Sequence, residues 1–180
     1  DPRKRGWYKD AVAKGGLLFT EPYVDKTTGK YCVSPVIPVK SANGTLRGVI
    51  GMDILLETLS DIAKKVNLDG KGYAFIIDNN GVVLAHPDEK LLSKKLTEHE
   101  TFANQAKEML QKGNGNLTYS LNGEEKILVY QKVPRTGWIL GLTVPEAEVH
   151  GPLAKLRNTY IMINILAACI IAAFATLLAR

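Results

Sequence analysis

A chain of 180 residues, 46% hydrophobic and 23% charged, carries enough apolar material to bury a core and too much to be a disordered tail. Its 23 Lys+Arg against 18 Asp+Glu give a net charge of +5, but the basic residues are scattered, and the basic and aromatic stripe that nucleic acid requires is missing. Nucleic acid is therefore not an expected partner. The chain opens on Asp1 rather than Met and reads as a piece of a larger protein.

Taken in order, the first signal is RGWY. Arg5 offers a planar fork of donors, and Trp7 and Tyr8 each join apolar bulk to one polar handle. In an extended segment, alternation sends Arg5 and Trp7 to the same side. Tyr23 and Asp25 are again two apart. Residues 30–39 (KYCVSPVIPV) read as a strand, 41–44 (SANG) as a turn and 45–53 as the returning strand of a hairpin, closed by Asp53. Residues 54–66 place Leu55, Leu59, Ile62 and Val66 at helical spacing, so a helix is expected to end near Leu68.

The same grammar then returns. Residues 73–78 and the run after Asn79-Asn80-Gly81 predict a second hairpin. Phe102, Ala106, Met109 and Leu110 predict a helix stopped by Gly113. Three further antiparallel strands follow in NLTYSL, EKILVYQKV and GWILGLTV, the first two joined by Asn122-Gly123. Both halves read as glycine, long strand, proline, loop and second strand. The fold class expected is α+β, with two related modules in tandem and antiparallel sheets. Residues 161–179 run without a charge for the length a helix needs to cross a bilayer, and are expected to be a transmembrane helix. Cys32 and Cys169 are too far apart in this layout to pair, and His86, His99 and His150 are too scattered for a metal site, so neither disulfide, metal nor cofactor is implied.

Arg5 with Asp25 and Asp53 makes one cationic fork and two carboxylates, the complement of a zwitterion. Each residue also has a plainer reading: Asp53 as the N-cap of the following helix, Asp25 as an Asx-turn residue, Arg5 as a solvated charge. A catalytic reading would make Asp25 and Asp53 an acid/base pair, or His86 in AHPD a catalytic residue, but no nucleophile elbow, P-loop or metal cluster accompanies them. His86, beside Pro87, reads as a turn residue after a strand.

The runs DPRKRGWYKDA, FTEPYVDKTTGKYCVSPVIPV, GVIGMDI and GYAFIIDNNGVVLAHPD together resemble a double Cache domain, the extracytoplasmic sensor of bacterial methyl-accepting chemotaxis receptors. The resemblance implies two PAS-like modules: 1–66 as part of the membrane-distal one with its connecting helix, and 67–147 as the membrane-proximal one. A juxtamembrane segment, 148–160, and the 161–179 helix would follow. It also implies a non-enzymatic homodimer in the cell membrane, with residues 1–160 on the extracytoplasmic side. Within the amino-acid-binding subgroup, the residues that grip the ligand carboxylate match Arg5 and Trp7, the adjoining aromatic matches Tyr8, the Tyr-x-Asp pair matches Tyr23 and Asp25, and the strand-terminal Asp matches Asp53, with the two carboxylates receiving the ligand ammonium. One further tyrosine of that pattern would fall before Asp1. The expected ligand is an L-amino acid. The expected output is that of a chemoreceptor, with a sensor histidine kinase, a cyclic-dinucleotide enzyme or an ectodomain hydrolase as alternatives.

Overall fold

A computed structural model of the chain describes residues 1–66 and 70–149, together with Met162 and Asn164. The first turn, Pro2–Lys4, is capped by the Asp1 side chain, which accepts the Arg3 N–H. Helix α1 follows at Gly6–Lys14, with Arg5 as its extended N-cap and Gly15, at φ 72°, closing it through a bond to the Ala11 carbonyl. The opening segment is thus a helix and not the extended run that alternation assumed. Ala11, Ala13 and the Gly15-Gly16 stop favour it, and Ala11 is fully buried on its inner face.

Two small sheets come next. Strands β1 (Leu18–Phe19), β4 (Pro35–Lys40) and β5 (Leu46–Gly51) form one; β2 (Tyr23–Val24), β3 (Tyr31–Val33) and β6 (Ile54–Leu55) form the other. The single strand expected over 30–39 is therefore divided at Ser34 between two sheets. Pro35 lacks an N–H, so the ladder loses a donor there. Ser34 meanwhile turns its backbone to Thr20, donating its N–H to Oγ1 at 2.9 Å and accepting the Thr20 N–H at 3.0 Å. The break holds Ser34 in the interior while β3 and β4 diverge.

Helix α2 covers Leu56–Lys64. It begins two residues later than expected because Ile54 and Leu55 pair with Val33 and Cys32. That pairing also resets its phase. Leu56, Ser60 and Ala63 face inward, whereas Ile62 and Val66, predicted for the buried side, are exposed. Ser60 is tolerated inside because its hydroxyl bonds to the Leu56 carbonyl at 2.9 Å.

The larger sheet comprises β7 (Tyr73–Ile77), β8 (Val83–Ala85), β9 (Asn114–Leu121), β10 (Glu124–Lys132) and β11 (Ile139–Pro145), in the order β8-β7-β11-β10-β9. All its pairings are antiparallel, as the turn signals predict. Helix α3 (Ala103–Lys112) buries Ala106 and Met109 against Phe75, Tyr119 and Leu128 on one face. On the other, Ala63 of α2 fits against Ala74 and Ala85, small residues that let the helix approach closely. Val33, Leu56 and Leu84 then join the front of the chain to this sheet. Burying a side chain of that size contributes about 1.5–3 kcal/mol. The fold is α+β with antiparallel sheets. Residues 161–179, expected to span a membrane, lie outside the described residues except for Met162 and Asn164, as do Cys169 and His150. Among the described residues, no helix is long and apolar enough to cross a membrane.

Candidate functional site

Where α1 meets the two small sheets, a cavity of about 460 Å³ opens. Arg5, Trp7, Tyr23, Asp25 and Asp53 all line it, with Ser34 at its back and Val36, Val49 and Gly51 of the β4–β5 hairpin as its floor. The fold therefore brings five of the six sequence-predicted residues to one place. Tyr8 is not in the wall; its ring packs edge-on against Trp7, 5.7 Å between centroids, and steadies the indole. Arg5 reaches the site from the N-cap of α1, with Trp7 in the first helical turn. The Arg5 guanidinium carbon lies 5.9 Å from the Tyr23 ring centroid, within cation–π range, which holds the fork beside the cavity.

The carboxylates differ in their surroundings. Asp53 is not a helix cap: the N-cap of α2 is Leu55, with no side-chain cap bond. Instead Asp53 Oδ1 accepts the Tyr23 hydroxyl at 2.8 Å and the Ser34 hydroxyl at 2.6 Å. Burial pushes the Tyr23 phenol well above its usual range, and the Asp53 bond adds to the rise, so the hydroxyl stays a donor at physiological pH. Asp25 takes the turn role that its sequence also allowed. Its Oδ1 accepts the Thr27 N–H at 3.2 Å, and its Oδ2 accepts the Thr28 N–H at 2.8 Å and the Thr28 hydroxyl at 2.7 Å. Those bonds, led by the Thr28 hydroxyl, hold the Asp25 carboxyl below its ordinary pKa, with Arg5 adding a smaller electrostatic pull.

Ser34 and Thr28 escape sequence reading. Ser34 is joined to Asp53 across 19 residues, and the visible signal for it is a serine directly before Pro35 in an otherwise apolar strand.

Two other cavities bear on function. One of about 500 Å³ shares Arg5, Trp7 and Tyr23 and extends past Asp10 and Glu21 to Asn79 and Asn80 in the β7–β8 turn. Asn80 donates its side-chain amide to Glu21 Oε1 at 2.8 Å there, tying the front of the chain to the larger sheet. The other, about 20 Å³, lies between α3 and the sheet among Tyr73, Phe75, His86, Phe102, Met109 and Tyr119. It has room for about one water. His86 is 9% exposed, just after β8, and its Nδ1 accepts the Asp88 N–H at 2.9 Å, the turn role expected of it. Burial pushes its pKa below the usual imidazole value, against a weaker upward pull from Asp88. Among the described residues, no group of His, Cys, Asp and Glu could hold a metal ion.

A family model, dCache_1, described as a Cache domain, matches residues 1–153. Among curated relatives, the methyl-accepting chemotaxis protein McpG of Pseudomonas putida is 32% identical over 166 residues, which is 90% of this chain and 25% of the relative. The chain thus spans about a quarter of that protein's length. Among solved structures, the ligand-binding domain of the Pseudomonas fluorescens chemoreceptor CtaA in complex with L-leucine is 30% identical at TM-score 0.63, covering 82% of this chain and 61% of that one. The extracellular domain of the putative histidine kinase mmHK1S-Z3 is 29% identical at TM-score 0.68, covering 85% of this chain and 58% of that one.

Proposed function

The chain belongs to the dCache_1 family of Cache domains, and on that premise we propose that it is the ligand-sensing part of a membrane chemoreceptor, recognising a small L-amino acid in the cavity beneath α1. The observation that carries this reading is the convergence of one guanidinium, two carboxylates and two aromatic rings on one cavity. Arg5 holds the ligand carboxylate through paired N–H donors, with Trp7 beside it. Asp53 and Asp25 face the ammonium, and the apolar floor of Val36 and Val49 leaves room for a side chain. Neither end of a zwitterion then lacks an opposite charge. Affinity near micromolar, roughly 8 kcal/mol, would be ordinary for such a site.

In this reading residues 1–66 belong to a membrane-distal PAS-like module and 67–147 form a membrane-proximal one that relays the signal. Residues 148–160 then lead to a membrane helix at 161–179, and the assembly is a homodimer with residues 1–160 outside the cytoplasm. The likeness to a histidine-kinase extracellular domain supports a second output for the same input, a sensor kinase in place of a chemoreceptor.

The test is a thermal-shift panel of the twenty L-amino acids against sugars, purines and simple amines. A ligand that binds only the folded state raises the melting temperature by mass action. At least one amino acid should do so and amines without a carboxylate should not. Stabilisation by a sugar or purine with none by any amino acid would overturn the reading.

A further inference from the structure

Ser34 is 1% exposed, and each of its polar atoms is engaged. Its N–H donates to Thr20 Oγ1 and its carbonyl accepts the Thr20 N–H, so the backbone is pinned from one side. Its hydroxyl donates to Asp53 Oδ1 at 2.6 Å and lies 2.8 Å from the Tyr23 hydroxyl, which itself donates to that same Asp53 oxygen at 2.8 Å. Two hydroxyl donors on one carboxylate oxygen fix the plane of the group. They also leave the second oxygen, Oδ2, without a hydrogen-bond partner among the described residues, on a residue that borders the cavity. Both oxygens of Asp25, by contrast, already accept bonds from Thr27 and Thr28.

Asp53 itself is solvent-exposed, and a carboxylate in the short link between β5 and β6 can rotate about two side-chain bonds. Without an anchor it would sample several orientations, and ligand binding would have to select one. We infer that Ser34 is a positioning residue that orients Asp53 so that Oδ2 meets the ammonium group, and that this contact gives the cavity its preference for α-amino acids over the same acids without the amino group. The inference rests on the amino-acid reading of this cavity. The Ser34 hydroxyl is engaged by Asp53 and by the Tyr23 hydroxyl that shares the same Asp53 oxygen, so its effect falls on one end of the ligand: the ammonium and not the carboxylate held by Arg5.

The experiment titrates the purified protein with L-alanine, L-leucine, L-serine and L-arginine, and with the deamino carboxylic acid of whichever binds best, by calorimetry or, where binding is weak, by NMR. Ser34→Ala removes one charge-assisted donor. It should weaken the amino acid about 10- to 100-fold and leave the deamino acid within about threefold, a change expected of unrelated groups. In an Asp53→Asn background the same substitution should add little, since both act through one group. Melting of each ligand-free variant reports folding. Should Ser34→Ala not fold, Tyr23→Phe removes the other donor to Oδ1 while keeping the ring beside Arg5, and the same amino-selective loss is expected. Equal losses for both ligands would mark Ser34 as a general structural residue, and an unchanged amino-acid affinity would remove it from the site; either overturns the inference while the amino-acid reading stands. A wild-type protein that takes up none of the four amino acids would overturn that reading, and the inference with it.

Discussion

Asp53 separates the binding account from a purely structural one. As a cap, it would be replaceable by Asn at almost no cost, and here it caps nothing. Asp53→Asn keeps an oxygen to accept the Tyr23 and Ser34 hydroxyls but removes the negative charge. Ligand-free stability should therefore change by no more than about 0.5 kcal/mol, as for a substitution that breaks no network. Amino-acid affinity should fall by about 1.5–3 kcal/mol, the range for a hydrogen bond to a charged group. The site is open to solvent at Asp53, so larger losses, typical of fully buried pairs, are not expected. Calorimetry paired with thermal melting measures both quantities. At this scale Arg5, Trp7, Tyr23, Asp25 and Asp53 were legible as opposed charges and aromatic handles. Ser34 was not, because its meaning comes from a partner brought near only by folding.

His86 supplies a second residue-level outcome. Its folded-state pKa is depressed by burial, while the unfolded chain protonates it near the ordinary value of about 6.5. As pH falls through that value the unfolded state takes up the proton first, so the contribution His86 makes to stability is present above about pH 6.5 and lost below it. Melting temperature should drop between pH 7 and pH 5, and His86→Gln should flatten that drop without changing amino-acid affinity by more than about threefold. A variant with the same pH slope as wild type would show that other groups set it.

Among the elements, what was legible is what short-range chemistry dictates. Asn122 and Gly123, at φ 54° and 80°, adopt the left-handed pair that a tight hairpin needs, so β9 and β10 could be placed from two letters. Helix α3 has its apolar stripe intact and a glycine stop. The misreadings occurred where pairing across the chain decides. Periodicity saw the apolar residues of 54–66 but not that Ile54 and Leu55 would be taken by β3, which rotates α2 and puts Ile62 outside. It likewise saw 30–39 as one strand, since the Thr20 backbone contact that splits it at Ser34 is not local. The alternation rule misread the conformation of 6–8, which is helical, although Arg5 and Trp7 still meet on one cavity.

The hairpin that floors the cavity has little slack. A Cβ on Gly51 would lie 2.8 Å from Val36 Cγ1, its partner at the end of the β4–β5 pairing. Gly51→Ala should cost about 1–3 kcal/mol in chemical denaturation, the penalty for overpacking. Combining it with Val36→Ala should cost less than the two single changes summed, since the second makes room for the first. Strict additivity would mean that the contact relaxes without strain.

For the whole molecule, sensing requires the front cavity to communicate with the larger sheet. The contacts that join them include Val33, Leu56 and Leu84, Ala63 against Ala74 and Ala85, the edge-on pair of Phe19 and Trp138 at 5.2 Å, and the hydrogen bond from Asn80 to Glu21. The last spans the second cavity, beside Arg5, Trp7 and Tyr23. Glu21→Ala should leave stability within about 1 kcal/mol, as expected for an exposed polar contact. It should, however, reduce the hydrogen-exchange protection that an amino acid confers on the β7–β8 turn. Full protection in the variant would place the coupling in the apolar contacts alone. The α+β class was legible at this scale because the turn signals of residues 73–145 are strong, whereas the way the front packs on the sheet depends on side chains, such as Leu84 and Trp138, that periodicity marks only as apolar.

The most direct test of the central claim, that one cavity grips both ends of an amino acid, is a calorimetric titration of the best-binding L-amino acid into wild type, Arg5→Ala and Asp53→Asn, set beside its deamino acid and its decarboxylated amine. The account predicts that Arg5→Ala sharply reduces the advantage the amino acid holds over the amine, that Asp53→Asn cuts its advantage over the deamino acid by about 1.5–3 kcal/mol, and that neither variant unfolds. An amino acid that binds both variants as tightly as wild type would contradict it.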